Sequence, residues 1–156
     1  MKIINPIFMA TLKLQAYTFL SLSLVFLFSQ CQSKSQTSEL EQLLEKQVAA
    51  WNKGDVEGFM EGYFKDSSMQ FISKKGVRKG WSATLESYKK HYPSKSEMGT
   101  LVFKTDSLYF MDDKREFGHI TGTWKLIRVS DTPSGYFSLI TRKTPLGHKI
   151  IIDHTW

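Results

Sequence analysis

The sequence predicts an α+β fold in which helices from the first half of the chain pack against an antiparallel sheet from the second half. Apolar residues recur at helical intervals of three and four in several segments before residue 93, whereas from Gly99 onward the period is two, as in strands. The last ten residues, 147–156, are apolar and β-branched at their centre, so we expect a buried final strand. Helices segregated to one side of an antiparallel sheet form an α+β domain.

Three helices are predicted, each with a local start or stop signal. Ser38 is placed to cap the first helix and Gly54 to end it. Asp55 is placed to cap a second, short helix, and Gly80 opens a third that Pro93 stops. The inner faces are then expected to be Leu40, Leu43, Leu44, Gln47, Val48 and Trp51 in the first helix, Val56, Phe59, Met60 and Tyr63 in the second, and Trp81, Leu85, Tyr88 and Tyr92 in the third.

A short hairpin is predicted between the second and third helices, with strands at 69–72 and 77–79 joined through Gly76. Four antiparallel strands follow the third helix, and the first of them leaves room for a bulge at 104–107. Gly118 and Gly122 lie inside the second of these strands, where glycine indicates a sharp bend or a close approach by other backbone. We therefore expect a curved sheet around three helices, with a cavity between the layers.

Residues 1–30 differ from the rest of the chain. They contain no Asp or Glu, two lysines, and an apolar run from Ala16 to Ser29. A basic start, an apolar core and a small residue near its end predict a secretory signal peptide that is removed from the mature protein. The alternative is a retained membrane anchor, but the run is shorter than the roughly 20 residues needed to cross a bilayer.

The one cysteine, Cys31, stands where this segment ends, before a polar tether over 32–38. The sequence Leu27-Phe-Ser-Gln-Cys31 resembles the lipobox of bacterial lipoproteins, in which the cysteine is acylated. The resemblance implies a signal peptide over 1–30, a lipidated Cys31 with a flexible tether over 31–38, and a domain over 39–156 that is anchored to a membrane at the periplasmic side or the cell surface. The alternative is an unpaired cysteine in a linker.

The charge of the chain is mild for a nucleic-acid-binding protein. The formal net charge is +6, and without residues 1–30 there remain 19 basic residues against 15 acidic ones. Lysines are scattered, with only short clusters at 74–75 and 89–90, whereas a face that follows nucleic acid is more densely basic. No phosphate loop, dinucleotide fingerprint, nucleophile elbow or metal-ligand pattern occurs. We therefore predict no nucleic-acid partner, no metal and no cofactor.

Three stretches resemble the nuclear transport factor 2-like superfamily, which includes ketosteroid isomerases and SnoaL-like polyketide cyclases. They are Val48-Ala-Ala-Trp-Asn-Lys-Gly-Asp-Val-Glu-Gly-Phe59, Ile120-Thr-Gly-Thr-Trp124, and Gly135 to Lys143 followed by Gly147-His-Lys-Ile-Ile-Ile-Asp-His-Thr155. The last looks like the SnoaL-like, domain-of-unknown-function 4440 branch, with His148 in place of the usual Trp. The resemblance covers residues 39–156 and implies a cystatin-like α+β cone with a deep pocket, and often a homodimer formed through the sheet.

Asp153 and His154 are the candidate catalytic residues, because the family's enzymes commonly use an Asp or a His to transfer a proton. Adjacent strand residues point to opposite faces, so one of the two is expected inside unless a bulge intervenes. The alternating apolar residues favour the register that places His148, Ile150, Ile152 and His154 inside. The alternative for either residue is a structural role at the end of the sheet.

The candidate ligand-binding residues are mainly aromatic side chains on predicted inner faces, and for these a place in the core is the alternative. A buried phenol needs a hydrogen-bond partner, which favours the two tyrosines. A histidine pair formed by His119 and His154 is conceivable, but the spacing supplies no further metal ligands. The full set is Trp51, Tyr63, Trp81, Tyr88, His119 and Trp124.

Three functions are compatible with this sequence. The first is an exported, membrane-tethered domain that binds a small apolar or aromatic ligand. The second is an isomerase, cyclase or hydratase that uses Asp153 or His154 beside a tyrosine, without metal or nucleotide. The third is an interaction module that forms a homodimer through the outer face of the sheet.

Overall fold

We analysed a computed structural model, which describes residues 38–156. The predicted signal peptide, Cys31 and nearly all of the tether therefore lie outside the described residues. None of the helices described has both the length and the apolar character needed to span a membrane.

The helices begin and end close to where the local signals place them. They are α1 (Ser38–Lys53), α2 (Val56–Met60), α3 (Trp81–His91) and a short α4 (Lys95–Met98) that the sequence analysis did not predict. Gly54 has φ +84° and follows α1, and the Asp55 carboxylate accepts a hydrogen bond from the Gly58 N–H at 2.7 Å at the start of α2. The predicted stop and cap are thus confirmed.

The joint between α1 and β3 explains why Trp51 and Asn52 precede that glycine. The indole Nε1 of Trp51 donates to the Met98 carbonyl at 3.0 Å. The Asn52 amide donates to the Leu101 carbonyl at 3.1 Å and accepts from the Leu101 N–H at 2.7 Å. The motif that carries the family resemblance therefore fixes the end of α1 against the first long strand.

Six strands form one sheet in the order β2-β1-β6-β5-β4-β3. They are β1 (Gln70–Ser73), β2 (Gly76–Lys79), β3 (Thr100–Phe110), β4 (Phe117–Ile127), β5 (Ser134–Thr144) and β6 (Gly147–Thr155). The final strand lies between β1 and β5, which confirms that it is an interior strand. The sheet is mixed and not wholly antiparallel, because β1 pairs with β6 in parallel. The small hairpin and the last strand are distant in sequence, so only packing sets their relative direction.

Two register shifts interrupt the sheet. The first lies between Thr105 and Ser107 in β3, as the sequence predicts, and the second lies between Ile140 and Thr141 in β5. At the second shift Ile140 pairs with Ile152 and Thr141 with Ile150, so Ile151 is an extra residue in β6. A bulge of this kind bends the strand and changes which side chains face inward beyond it.

Gly118 and Gly122 allow close approaches to β4, as predicted. A side chain at Gly122 would come within 2.3 Å of the Lys104 carbonyl oxygen, and one at Gly118 within 2.8 Å of the Leu40 side chain. Helix α1 and the bulged part of β3 can therefore lie directly against these glycines. The hydrophobic core between the helices and the sheet includes Leu40, Leu44, Trp51, Phe59, Met60, Tyr63, Met69, Met98, Ile120, Phe137, Leu139 and Ile150.

Candidate functional site

A cavity of about 120 Å³ lies between the helices and the sheet. Apart from Gln47, Asp153 and Thr155, every residue that lines it is aromatic or leucine. Several of the aromatic rings contact one another edge to face, with the Trp51 centroid 5.0 Å from that of Phe59, and the Tyr88 centroid 5.4 Å from that of Phe59. The cavity wall is thus a rigid aromatic cluster with few polar groups.

Asp153 is the one acidic residue on this wall, and it is only 6% exposed. The Tyr63 hydroxyl donates a hydrogen bond to its Oδ2 at 2.6 Å. The other oxygen, Oδ1, is buried and has no hydrogen-bond partner among residues 38–156. One half of the carboxylate is therefore held in place, and the other half is unpaired.

Tyr63 is positioned by the connection that follows α2. The Ile150 N–H donates to the Gly62 carbonyl and the Phe64 N–H to the Ile150 carbonyl, each at 2.9 Å. This short bridge pairs Tyr63 with Ile150 of β6, and Ile150 lies three residues before Asp153. The phenol and the carboxylate, 90 positions apart in sequence, are brought together by the backbone of that bridge.

Burial alters the acid–base properties of these groups. Loss of solvation raises the pKa of Asp153 to about 6 from its ordinary value of 3.8, and the hydrogen bond from Tyr63 acts in the opposite direction. Burial, followed by the nearby charge of Asp153, raises the pKa of Tyr63 and that of Tyr88 far above the ordinary value for a phenol. Near neutral pH the site therefore holds two neutral phenols beside a carboxyl group that titrates close to that range.

The structure places four of the six predicted ligand-binding residues on the cavity wall and the other two elsewhere. Trp51, Tyr63, Tyr88 and Trp124 line the cavity. Trp81 does not, because its Nε1 donates to the Met60 carbonyl at 2.9 Å at the edge of the core.

His119 is not on the cavity wall either. It lies on the other face of the sheet, where its ring nitrogens are 3.0 Å from the Tyr109 hydroxyl and 2.9 Å from the Ser138 hydroxyl. The predicted inner aromatic stripes thus supply wall residues, but the histidine of the long strand does not.

The favoured register at the end of β6 is wrong. Asp153 is buried, whereas His154 is exposed, with its ring centroid 4.8 Å from that of Trp156. His148 and Ile150 do face inward as expected, but the extra residue Ile151 reverses the alternation before Asp153. The structure therefore separates the two candidate catalytic residues onto opposite faces.

Sequence reasoning missed part of the wall. Phe71 on β1 and Leu139 on β5 lie directly beside Asp153 in the sheet, and Tyr92 continues the aromatic stripe of α3. Tyr92 was on the predicted inner face and could have been proposed, whereas Phe71 depends on the parallel pairing of β1 with β6. Among residues 38–156 no group of three or more His, Cys, Asp or Glu side chains is arranged to hold a metal ion.

Solved structures share this fold. An NTF-2-like protein of unknown function from Shewanella oneidensis is 36% identical, with a TM-score of 0.73 over 76% of this chain and 97% of that one. A domain of unknown function with a cystatin-like fold from Nostoc punctiforme is 15% identical, with a TM-score of 0.64 over 80% and 78% of the two chains. A ketosteroid isomerase-like protein from Erwinia carotovora is 9% identical, with a TM-score of 0.60 over 78% and 95%.

The second and third of these likenesses concern the fold alone. No model of a protein family matches the sequence, and no protein of curated function matches it. The identity to the Shewanella protein extends over nearly all of that protein, and the strand order and helix arrangement agree with the resemblance carried by the sequence motifs. The chain belongs to the nuclear transport factor 2-like superfamily.

Proposed function

We propose that this domain binds a small, mainly apolar molecule in the cavity, through ring contacts and one hydrogen bond to Asp153. The observation that carries the proposal is Oδ1 of Asp153, a buried acceptor without a partner among the described residues. An unpaired buried acceptor costs free energy, so a ligand that donates a hydrogen bond to it gains more than it would in water. The surrounding aromatic wall offers dispersion contacts and no competing charge.

The size of the cavity limits the part of a ligand that it can enclose. An apolar cavity of about 150 Å³ in another protein accepts benzene, so about 120 Å³ fits a group near the size of one six-membered ring. Drug-sized ligands occupy roughly 300–1,000 Å³. We therefore infer that the cavity encloses one ring and not a fused ring system.

The proposal is tested by calorimetry and thermal shift with single-ring alcohols and phenols, using a cavity-filling variant. Leu139 is buried and pairs with Asp153 on the neighbouring strand, so Leu139→Phe fills the space beside the carboxylate. Ile140→Phe adds a comparable bulk at the next residue, on the other face of the sheet. Binding that is lost in Leu139→Phe and kept in Ile140→Phe supports the proposal, and absence of any binding by the wild-type domain contradicts it.

A second candidate is an enzyme that transfers a proton, such as an isomerase, cyclase or hydratase. It is favoured by the pKa of about 6 for a carboxyl group that accepts a hydrogen bond from a phenol inside an apolar cavity. With that pKa Asp153 is mostly ionised at neutral pH, and it can remove a proton from a carbon beside a carbonyl and return it elsewhere. Deuterium exchange into cyclic ketones tests this, with Asp153→Asn expected to abolish exchange and His154→Ala to leave it unchanged.

We also propose that the protein is exported and tethered to a membrane through a lipid on Cys31, within the SnoaL-like, domain-of-unknown-function 4440 branch. The support is the sequence alone, since Cys31 and the apolar segment before it lie outside the described residues. Metabolic labelling with palmitate is expected to mark the wild-type chain and Ser33→Ala but not Cys31→Ser. A Cys31→Ser chain that remains labelled would contradict the assignment.

A homodimer is a further proposal, supported by apolar side chains on the outer face of the sheet. Val102, Tyr109, Ile127 and Tyr136 are between 44% and 55% exposed there. Sedimentation at micromolar concentration is expected to give a dimer that Tyr109→Glu dissociates. A wild-type domain that sediments as a monomer would exclude it.

A further inference from the structure

A recess that adjoins the cavity differs from it in charge. A recess of about 430 Å³ shares five wall residues with the cavity, namely Phe71, Tyr88, Tyr92, Trp124 and Thr155. Its outer rim carries Lys74, Lys75, Arg78 and His91, and none of its lining residues in the described chain is Asp or Glu. A molecule that occupied both the cavity and the recess would therefore reach the cationic side chains of this rim.

Three of these side chains, Lys74, Lys75 and Arg78, have no ion-pair partner among the described residues. In the described part of the chain no carboxylate lies within ion-pair distance of Lys74, Lys75 or Arg78, whereas Lys65, Lys89 and Arg128 each have one. The two lysines are exposed and Arg78 is half-buried. The hairpin of β1 and β2 thus presents three unpaired positive charges at one edge of the recess.

The register of the sheet connects this rim to the unpaired carboxylate. Phe71 pairs with Asp153 on one side and with Arg78 on the other, so the three lie in one row across β6, β1 and β2. Paired residues in adjacent strands share a face, and strands lie about 4.8 Å apart. Asp153 and Arg78 are therefore separated by two strand spacings, on the order of 10 Å between their Cα atoms.

Phe71 occupies the middle of this row and lines both the cavity and the recess. The Arg78 guanidinium lies 5.7 Å from the centroid of the Phe71 ring. This cation–π contact holds the positive charge where the cavity and the recess adjoin. Tyr88 also lines both the cavity and the recess, and the positive charge of Arg78 acts to lower the pKa of its hydroxyl. A ligand that covers Phe71 would accordingly have one end at Asp153 and the other at Arg78.

We propose that the ligand is a small organic anion: a single ring with a hydrogen-bond donor for Asp153, joined by a short arm to a carboxylate or similar group that Arg78, Lys74 and Lys75 bind. This rests on the proposed binding function and specifies its ligand class. The wall of the cavity is mainly aromatic and its one charged residue is the acidic Asp153, so an anionic group is disfavoured there and favoured at the rim. The separation of the two ends sets the length of the arm at a few atoms.

The test is a matched pair of probes, 3-(4-hydroxyphenyl)propionate and its uncharged amide, measured by calorimetry at 50 and 300 mM salt. We expect the acid to bind about tenfold more tightly than the amide at low salt, a preference of about 1.4 kcal/mol. Because the rim is exposed to solvent, the preference should narrow at the higher salt concentration.

Variants locate the preference. Replacing Lys74, Lys75 and Arg78 together by Gln is expected to abolish the preference, so that the acid and the amide bind with equal affinity. The matched control removes the same charge at exposed lysines outside the recess, Lys46→Gln, Lys104→Gln and Lys114→Gln, and should keep the preference.

The outcomes separate this inference from the proposed function. Equal affinity for acid and amide overturns the anionic ligand but leaves the cavity as a binding site. A preference that survives in the triple rim variant overturns the assignment to Arg78 and its neighbours. If neither probe nor any other single-ring compound binds, the proposed function and the ligand class both fail.

Discussion

Asp153 and His148 are two buried polar residues on the inner side of the same strand, yet their surroundings differ. Both are almost inaccessible to solvent, at 6% and 4% exposure. Asp153 lines the aromatic cavity and has an unpaired oxygen there. His148 does not line that cavity. Its Nδ1 is 3.0 Å from the Thr141 hydroxyl and its ring centroid is 5.3 Å from that of Phe110.

The difference shows that burial alone does not identify a functional group. Burial raises the pKa of Asp153 and lowers the pKa of His148, so each group is shifted toward its neutral form. Asp153 adjoins the aromatic cavity, whereas His148 borders a separate recess of about 170 Å³ beside α1, where its Nε2 has no hydrogen-bond partner among the described residues. His148 instead ties β6 to β5 and lies with its Nε2 3.8 Å from the Glu39 carboxylate of α1. Opposite pH dependences of stability should distinguish the two.

The largest effect is expected from Asp153→Asn. In the folded protein the carboxyl group has a pKa near 6 and in the unfolded chain near 3.8, so the folded state binds the proton more tightly. Wild-type stability from this group is therefore greatest below about pH 4 and falls by roughly 3 kcal/mol as the pH rises to about 6 and above. Asn does not titrate and therefore removes that decline. Urea unfolding should show that the free energy of unfolding of the variant, relative to that of the wild type, increases from pH 4 to pH 7.5. A constant difference between the two would contradict the raised pKa.

Tyr63→Phe comes next. It removes the hydrogen bond to a buried carboxylate, and we expect a loss of about 1–3 kcal/mol at pH 7.5. Since that bond lowers the pKa of Asp153, the pKa should rise above its wild-type value in the variant. Carbon-detected NMR titration of the carboxyl group measures this. Tyr88→Phe is the matched control and should shift the pKa of Asp153 less, because Tyr63 still donates its hydrogen bond.

His148→Gln should have a smaller effect, of opposite pH dependence. Burial holds the pKa of His148 below its ordinary value of 6.5, so the unfolded chain binds the proton more tightly. Wild-type stability from this group is full above about pH 6.5 and falls as the pH drops below it. The variant loses about 1 kcal/mol at pH 8 with the Thr141 hydrogen bond, but its deficit should shrink at pH 5. A deficit that grows toward pH 5 would place a stabilising positive charge at His148.

The smallest effect is expected at His154, the neighbour of Asp153 in sequence. His154 is exposed on the other face of the sheet, so His154→Ala should change the free energy of unfolding by less than about 0.5 kcal/mol. It should also leave the binding of the phenolic probes unchanged. If this variant lost probe binding with its stability unaltered, the probes would bind on the outer face of β6, and the assignment of the site to the cavity would be contradicted.

Much of the fold was predictable because its signals are local. Gly54 ends α1, Asp55 caps α2 and Pro93 follows α3, and each signal acts within a few residues of its own position. The bulge in β3 and the close contacts at Gly118 and Gly122 were also expected from the chain itself. These features depend on backbone stereochemistry and side-chain capping, which a sequence states directly.

The residues at the cavity could be predicted only in part. Aromatic stripes placed Trp51, Tyr63 and Tyr88 on inner faces, since helical periodicity is regular. The inward position of Asp153 could not be found this way, because it depends on one extra residue at Ile151 whose position is fixed by pairing with β5. A simple alternation instead favoured His154.

The sequence by itself determined the α+β class, the order of three helices and six strands, most of their local ends and the apolar faces of the helices. Tertiary structure alone decided that β1 runs parallel to β6, that Asp153 meets Tyr63, and that Phe71 stands between Asp153 and Arg78. The physical reason is range: caps and periodicity act over a few residues, whereas the pairing of β1 with β6 joins residues 82 positions apart and the Tyr63–Asp153 hydrogen bond joins residues 90 positions apart. The register of those pairs, which follows from packing the whole sheet, determines which polar groups meet at the cavity.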